Sequence, residues 1–416
     1  MAEYIVNPGD SLPGAVEMAG AGDIVRLMEG VHQAPVVVSG RNYTNDFPLL
    51  IVSDAGADVT LMGGVVIRES SGVQAGGFSV RGSEDDHGGV YLYRNEDCRV
   101  FNFDVQDLPA SVAGAGVRLR YNTNCYVEFT DVIRCARGFA ASHSVGCVWR
   151  GCRAIDNREL EDDADGFAVY CGSQYSSSGN YERSQYNALV DCESTGNHDD
   201  AFDMWDGMNV MLIRCIGIQT HPHDGNGFKL GGRDSLRPEN PGGHLLIACQ
   251  SLTNTEMGYT NNGGPQPSVL IGCLARGNGA HGFEEWDVAS RYLNCVSEGN
   301  GGDDWHLLSG NANVEGWDVS VDDLPAWLND APAHIRELAI EALGREPQPG
   351  GGIVGAVERL QAAAEAARAR LTVWQGSVAE AQAAADGLAV ELEAIDAEIA
   401  ELLAADAAAD ELAETL

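Results

Sequence analysis

Basic side chains are scarce: Lys and Arg number 25 against 62 Asp plus Glu, and 25 − 62 gives a formal net charge of −37. A groove that reads nucleic acid needs clustered Lys and Arg to neutralise phosphates, so this composition argues against that class. It argues equally against docking on an anionic membrane. No stretch approaches the roughly 18 unbroken apolar residues of a membrane-spanning helix. The opening MAEYIVNPGDSLPG has neither a basic n-region nor an apolar h-region, so no secretory leader is expected. Proline is sparse, 14 residues beside 51 glycines, which suits a chain with many tight turns. The 11 cysteines are odd in number and form no CxxC pair, which weakens both a disulfide framework and a zinc site.

What is present is a repeat. The windows NALVDCESTGN (Cys192), VMLIRCIGIQT (Cys215), HLLIACQSLTN (Cys249), SVLIGCLARGN (Cys273) and SRYLNCVSEGN (Cys295) superpose, with Cys152 in an earlier copy. Successive cysteines from Cys192 are 23, 34, 24 and 22 residues apart. A period near 22 to 24 with an occasional insertion marks a solenoid. The strand-like apolar runs and turn residues within each copy make it a β-solenoid. A second register runs in step, placing one aromatic per coil: Phe139, Phe167, Phe202, Phe228, Tyr259, Phe283 and Trp305. Asn recurs five residues after the cysteine at positions 157, 197, 254, 278 and 300, with Thr220 the exception. Stacked one coil above another, these rows predict inward Cys and aromatic ladders and an Asn turn ladder.

The pattern resembles the right-handed parallel β-helix, the fold of pectate lyases and many phage tailspikes. The segment AGAGDIVRLMEGVHQAPVVVSG is similar to the opening of those proteins, where a short helix covers the end of the solenoid. The predicted fold class is therefore all-β: a right-handed parallel β-helix over residues 1–318 with an N-terminal cap. Residues 319–350, containing LPAWLNDAPAHIRELAIEALGRE and ended by PQPGGG, read as a helical linker. From Ile353, apolar residues from Val357 to Leu402 keep 4,3 spacing, which predicts an acidic coiled coil over 351–416. The segment 353–416 carries 3 Arg and 13 acidic residues, so 3 − 13 gives −10. Its expected use is homo-oligomerisation or attachment to a larger assembly. Gly376 and Gly387 leave a helical hairpin as the competing reading.

Chemistry is sought where ladders carry charge. Asp165 (ADGF), Asp200 (DDAF) and Asn226 (GNGF) share a column two residues before the aromatic, and Asp199 stands beside Asp200. Just after the aromatic come Ala168, Asp203 and Lys229. Stacked carboxylates repel unless a cation neutralises them, and an all-oxygen carboxylate set suits Ca²⁺. The segments DDADGFA, NHDDAFDMWD and DGNGFKLGG, between Asp162 and Gly232, resemble the active-site coils of polysaccharide lyase family 9. That resemblance implies a calcium-dependent lyase cleaving a uronate-containing, pectate-like acidic polysaccharide by β-elimination. It further implies Asp165, Asp199, Asp200 and Asp203 as calcium ligands and Lys229 as the Brønsted base. The enlarged coil Cys171–Ser184 and the C-terminal segment depart from the family's pattern.

Arg233 and Arg237 are expected to hold substrate carboxylates through bidentate contacts. His221 and His223 offer a weak metal pair. Trp205 and Tyr259 offer faces for sugar stacking, with core packing the alternative for Tyr259. A non-catalytic β-helix, structural or glycan-binding as in a phage tail or spike, is the competing functional class. The implied location is extracellular or virion-associated, with a cytoplasmic one also open. A lone helix would expose the seam from Ile353 to Leu402 to water. The full-length protein should therefore be oligomeric in light scattering, and truncation at Gly350 should give a soluble monomer; a monomeric full-length chain would favour the hairpin.

Overall fold

A computed structural model describes residues 2–83, 88–108, 114–158, 164–170, 184–221, 225–232, 241–315 and 319–344. Arg233, Arg237, His223 and the predicted coiled coil at 351–416 lie outside the described residues. The chain divides into two compact units, one of residues 1–53 and 58–349, the other of residues 54–57 and 350–416. The larger is a parallel β-solenoid. Each coil contributes one strand to each of three sheets, of 13, 11 and 11 strands among the described residues. Sheet 1 runs from Glu3–Val6 to Asn313–Val314, sheet 2 from Val36–Ser39 to Trp305–His306, and sheet 3 from Gly30–His32 to Val296–Glu298.

The ladders read in the sequence run inside this frame. Seven aromatics stack in sheet 2, with ring centroids 4.6, 5.1, 4.8, 4.7, 4.7 and 4.5 Å apart from Phe139 to Trp305. Their interplanar angles do not exceed 10°. Cys152, Cys192, Cys215, Cys249, Cys273 and Cys295 line the turn between sheets 1 and 3, and all ten described cysteines are buried free thiols. Several thiols donate to a carbonyl one coil back, as Cys215 does to Leu189 O and Cys249 to Leu212 O, both at 3.4 Å. The residue before each ladder cysteine takes left-handed backbone, with φ of 55° at Asp191, 51° at Arg214, 54° at Ala248 and 60° at Gly272. That conformation makes the corner. Burial pushes the Cys135 thiol up to about 11, which suits a small hydrophobe and not a nucleophile.

The asparagines form amide chains: Asn157 Nδ2 donates to Asn197 Oδ1 at 2.8 Å, and Asn278 Nδ2 to Asn300 Oδ1 at 2.9 Å. Where Thr220 interrupts the row, its backbone N–H keeps the link by donating to Asn254 Oδ1 at 3.3 Å.

Helix α1 (Leu12–Met18) buries Leu12, Ala15 and Val16. Its N-cap Ser11 accepts from Gly14 N at 3.2 Å. The helix packs on Glu3–Val6 and Val36–Ser39, the end strands of sheets 1 and 2, and so shields an edge that would otherwise invite pairing. At the other end of the chain, α2 (Ala333–Gly344) presents Ile335, Ala339 and Ala342 on one face. These join Leu328 and the outward residues Val148, Val190, Ile213, Ile247, Ile271 and Leu293 of sheet 1 in one buried cluster. The segment expected as a linker is thus a docked cover. It accounts for the continuous apolar runs MLI, LLI and VLI, which are buried on both faces. Ile335→Ala should lower unfolding stability by about 2–5 kcal/mol. Truncation before Val319 should expose the stripe and cause aggregation in light scattering, whereas truncation after Gly344 should not.

Candidate metal centre and active site

The site is built on three short neighbouring strands of sheet 2: Phe167–Tyr170, Phe202–Asp203 and Phe228–Lys229. The aromatic of each strand points into the core, so the next residue points outward. In-register pairing then places Ala168 beside Asp203 and Asp203 beside Lys229. Asp165 and Asp200 arrive from the turns entering these strands. Oxygens of Asp165, Asp200 and Asp203 lie within 4.8 Å of one another, and all three residues are buried. Asp199 is buried as well but stands outside this converging set, so the structure brings together three of the four expected carboxylates.

The ammonium of Lys229 sits among them, with Nζ 2.8 Å from Asp200 Oδ2 and 3.5 Å from Asp203 Oδ2. Asp200 is fully buried, and its other oxygen accepts from Asn226 N at 2.9 Å and Asn226 Nδ2 at 2.7 Å. Asp203 Oδ1 accepts from Trp205 N at 2.8 Å. Three carboxylates and one ammonium sum formally to −3 + 1 = −2. Burial raises the Asp200 carboxyl above the usual range, although Lys229 and the Asn226 bonds oppose the shift. Burial alone would lower Lys229, but Asp203 and then Asp200 outweigh it and hold the ammonium well above the ordinary lysine value.

Trp205 is 38% exposed and its ring lies 5.4 Å from Lys229 Nζ, forming a wall of the site. Gly232, at φ 124°, lets the backbone approach that ring where a Cβ would collide. Tyr259 belongs to the core ladder, its hydroxyl donating to Leu274 O at 3.2 Å, and offers no face to a ligand. His221 packs near His198, with ring centroids 5.2 Å apart. A second cluster went unread in the sequence. His281 and Asp303 repeat the column two residues before the aromatic, and His306 repeats the one after it. Its rings stack at 4.3 Å and 18°, His281 Nδ1 accepts from Asp303 N at 3.0 Å, and one ligand atom from each residue lies within 4.8 Å of the others.

A family model described as "Pel9A-like, right handed beta helix region" matches residues 2–309. The chain belongs to this family. Pectate lyase PEL9 of Emericella nidulans is 28% identical over 204 residues, covering 40% of this chain and 47% of that protein. The chain therefore spans about half the length of the curated relative it matches. The crystal structure of pectate lyase Pel9A superposes with a TM-score of 0.46 at 14% identity, covering 74% of this chain and 82% of that one. A PL6 family polysaccharide lyase from Pseudopedobacter saltans gives a TM-score of 0.51 at 11% identity, over 72% and 76% of the two chains. These likenesses are of fold.

Removing the ammonium would leave Asp200 buried without its counter-ion. Lys229→Ala should cost about 3–5 kcal/mol of stability at neutral pH in chelator. A carboxyl whose folded pKa is raised favours the folded state below its unfolded value and loses that advantage as pH rises through the folded value. The deficit of the variant should therefore shrink as pH falls towards 3.8, the ordinary Asp value. Denaturation curves across that range test this; a deficit independent of pH would show that Asp200 does not carry it.

Proposed function

We propose that the protein is a calcium-dependent lyase that cleaves a uronate-containing polysaccharide by β-elimination. The observation that carries this reading is an ammonium held between Asp200 and Asp203 at the edge of a buried carboxylate cluster. The formal −2 of the cluster and its all-oxygen donors fit one divalent hard cation. Asp165, Asp200 and Asp203 would hold it. Asp199, buried beside Asp200, remains the fourth expected ligand, although it is outside the group of atoms that lie within 4.8 Å of one another.

When bound, calcium neutralises the carboxylate of the uronate and so acidifies the proton on C5. Lys229 Nζ removes that proton, a double bond forms between C4 and C5, and the C4–O bond to the leaving sugar breaks. The leaving oxygen takes its proton from water. Lysine serves as a base only when its pKa approaches the working pH. With Asp200 and Asp203 engaged as ligands, their charges no longer hold the ammonium, and Lys229 is freed to act. Trp205 closes one side of the site and limits water around Nζ.

The test is a panel of polyuronates with and without chelator, followed by the ultraviolet absorbance of the unsaturated uronide product. Activity should require calcium and rise towards alkaline pH. Lys229→Ala should reduce turnover by about 10²–10⁴-fold, the range of a general base, while calcium still binds in calorimetry. Asp203→Asn should weaken calcium binding first. Near-full activity in Lys229→Ala would sink the assignment of the base. A wild type that cleaves no polyuronate would favour the glycan-binding reading.

A further inference from the structure

The outward column that contains Asp203 and Lys229 continues towards the N-terminus of the solenoid. Read strand by strand from the pairing, it runs Tyr91, Arg118, Ala140, Ala168, Asp203, Lys229. Val117 and Leu119 on either side of Arg118 are fully buried in the core, so Arg118 shares the outer face with the site. Three strand spacings, about 14 Å, separate Arg118 from Asp203. The two positions between carry only methyl groups. The column therefore has a guanidinium at one end and the carboxylate–lysine cluster at the other, with Ala140 and Ala168, 3% and 7% exposed, between them.

Arg118 is set apart from the other described arginines by its buried, unpartnered Nε. In a protein of net charge −37, arginines on the coils pair readily with carboxylates, as Arg81 does with Asp104 at 2.8 Å and Arg214 with Asp191 at 2.6 Å. Arg118 pairs with none among the described residues, and its Nε is buried without a hydrogen-bond partner. A buried donor left unsatisfied is costly unless something outside the chain completes it. Beside it, Arg120 points outward from the same strand and lies 5.2 Å from the Tyr121 ring, which stacks on His143 at 4.4 Å. Cationic forks next to flat aromatic faces suit a ring that carries an anion.

We infer that Arg118 is the carboxylate-binding residue of a distal substrate subsite, reached by an acidic oligosaccharide lying along the solenoid axis from Lys229 over Ala140 and Ala168. The planar guanidinium takes one uronate carboxylate of that chain in a bidentate contact. This inference rests on the lyase reading for the identity of the ligand and adds the direction in which it lies and the residue that rewards its length.

The experiment uses full-length protein with calcium and oligogalacturonides of graded length. For the wild type, KM should fall once the oligomer is long enough to reach from Lys229 to Arg118. In Arg118→Gln that gain should be lost, by about tenfold as expected for a hydrogen bond to a charged group, and the loss should fall on KM. Arg118→Lys should recover part of it, and Ala140→Leu, which adds bulk between the two charged ends of the column, should reproduce the loss without touching the charge. Equal effects of Arg118→Gln on short and long oligomers, or no effect, would overturn the subsite while leaving the lyase reading intact. If the wild type cleaves no oligomer, calorimetry on the same series separates the two ideas. Length-dependent binding lost in Arg118→Gln would support the subsite on a non-catalytic protein; no binding at any length would end both.

Discussion

Each coil of the solenoid lies on the previous one in register, so the neighbour of any side chain is the residue at the same position one strand spacing away, about 4.8 Å. That spacing nearly equals the separation of stacked aromatic rings, and the ladder from Phe139 to Trp305 exploits it at every step. It also suits amide chains, in which one asparagine donates to the next while the amide also anchors the backbone of the preceding coil. The same constraint penalises like charges. An aspartate column on this lattice is tolerable only with a cation in it, and Asp203 has Lys229 as its in-register neighbour.

The site therefore inherits its geometry from the core. Phe167, Phe202 and Phe228 are locked by stacking, so the residues beside them project from fixed points. Asp203 and Lys229 need no loop to hold them; they are one residue away from the most rigid row in the molecule. Asp165 and Asp200 enter from turns, but Asp200 is pinned by two donors from Asn226 on the next coil. Preorganisation of this kind keeps a buried carboxylate cluster from rearranging to relieve its own repulsion.

Sheet 1 answers a different requirement. Its strands carry apolar residues on both faces, which a sheet facing water would not tolerate. The helix Ala333–Gly344 and the turn around Leu328 cover the outer face, and His334 Nε2 lies 2.9 Å from Gly146 O across that junction. Sheet 2 carries the candidate site. One lateral face is closed by the chain's own C-terminal segment, and the other presents the charged column.

Much of this was legible in the residue order, because a repeat of fixed period and fixed register turns linear spacing into spatial neighbourhood. The windows around Cys192 to Cys295 and the aromatics five residues past Asn197, Asn254, Asn278 and Asn300 predicted the parallel solenoid, its ladders, and the stacking of Asp165, Asp200, Asp203 and Lys229 on successive coils. The tertiary structure decided what spacing does not encode. It brought oxygens of Asp165, Asp200 and Asp203 within 4.8 Å of one another, because a turn residue's side chain is aimed by backbone dihedrals and not by period. It docked Ile335 and Ala339 on sheet 1, a contact between segments with no common repeat. It aligned Arg118 with Lys229 across coils whose connecting segments differ in length. There the alignment is set by backbone hydrogen bonds between strands, which the linear sequence leaves unstated.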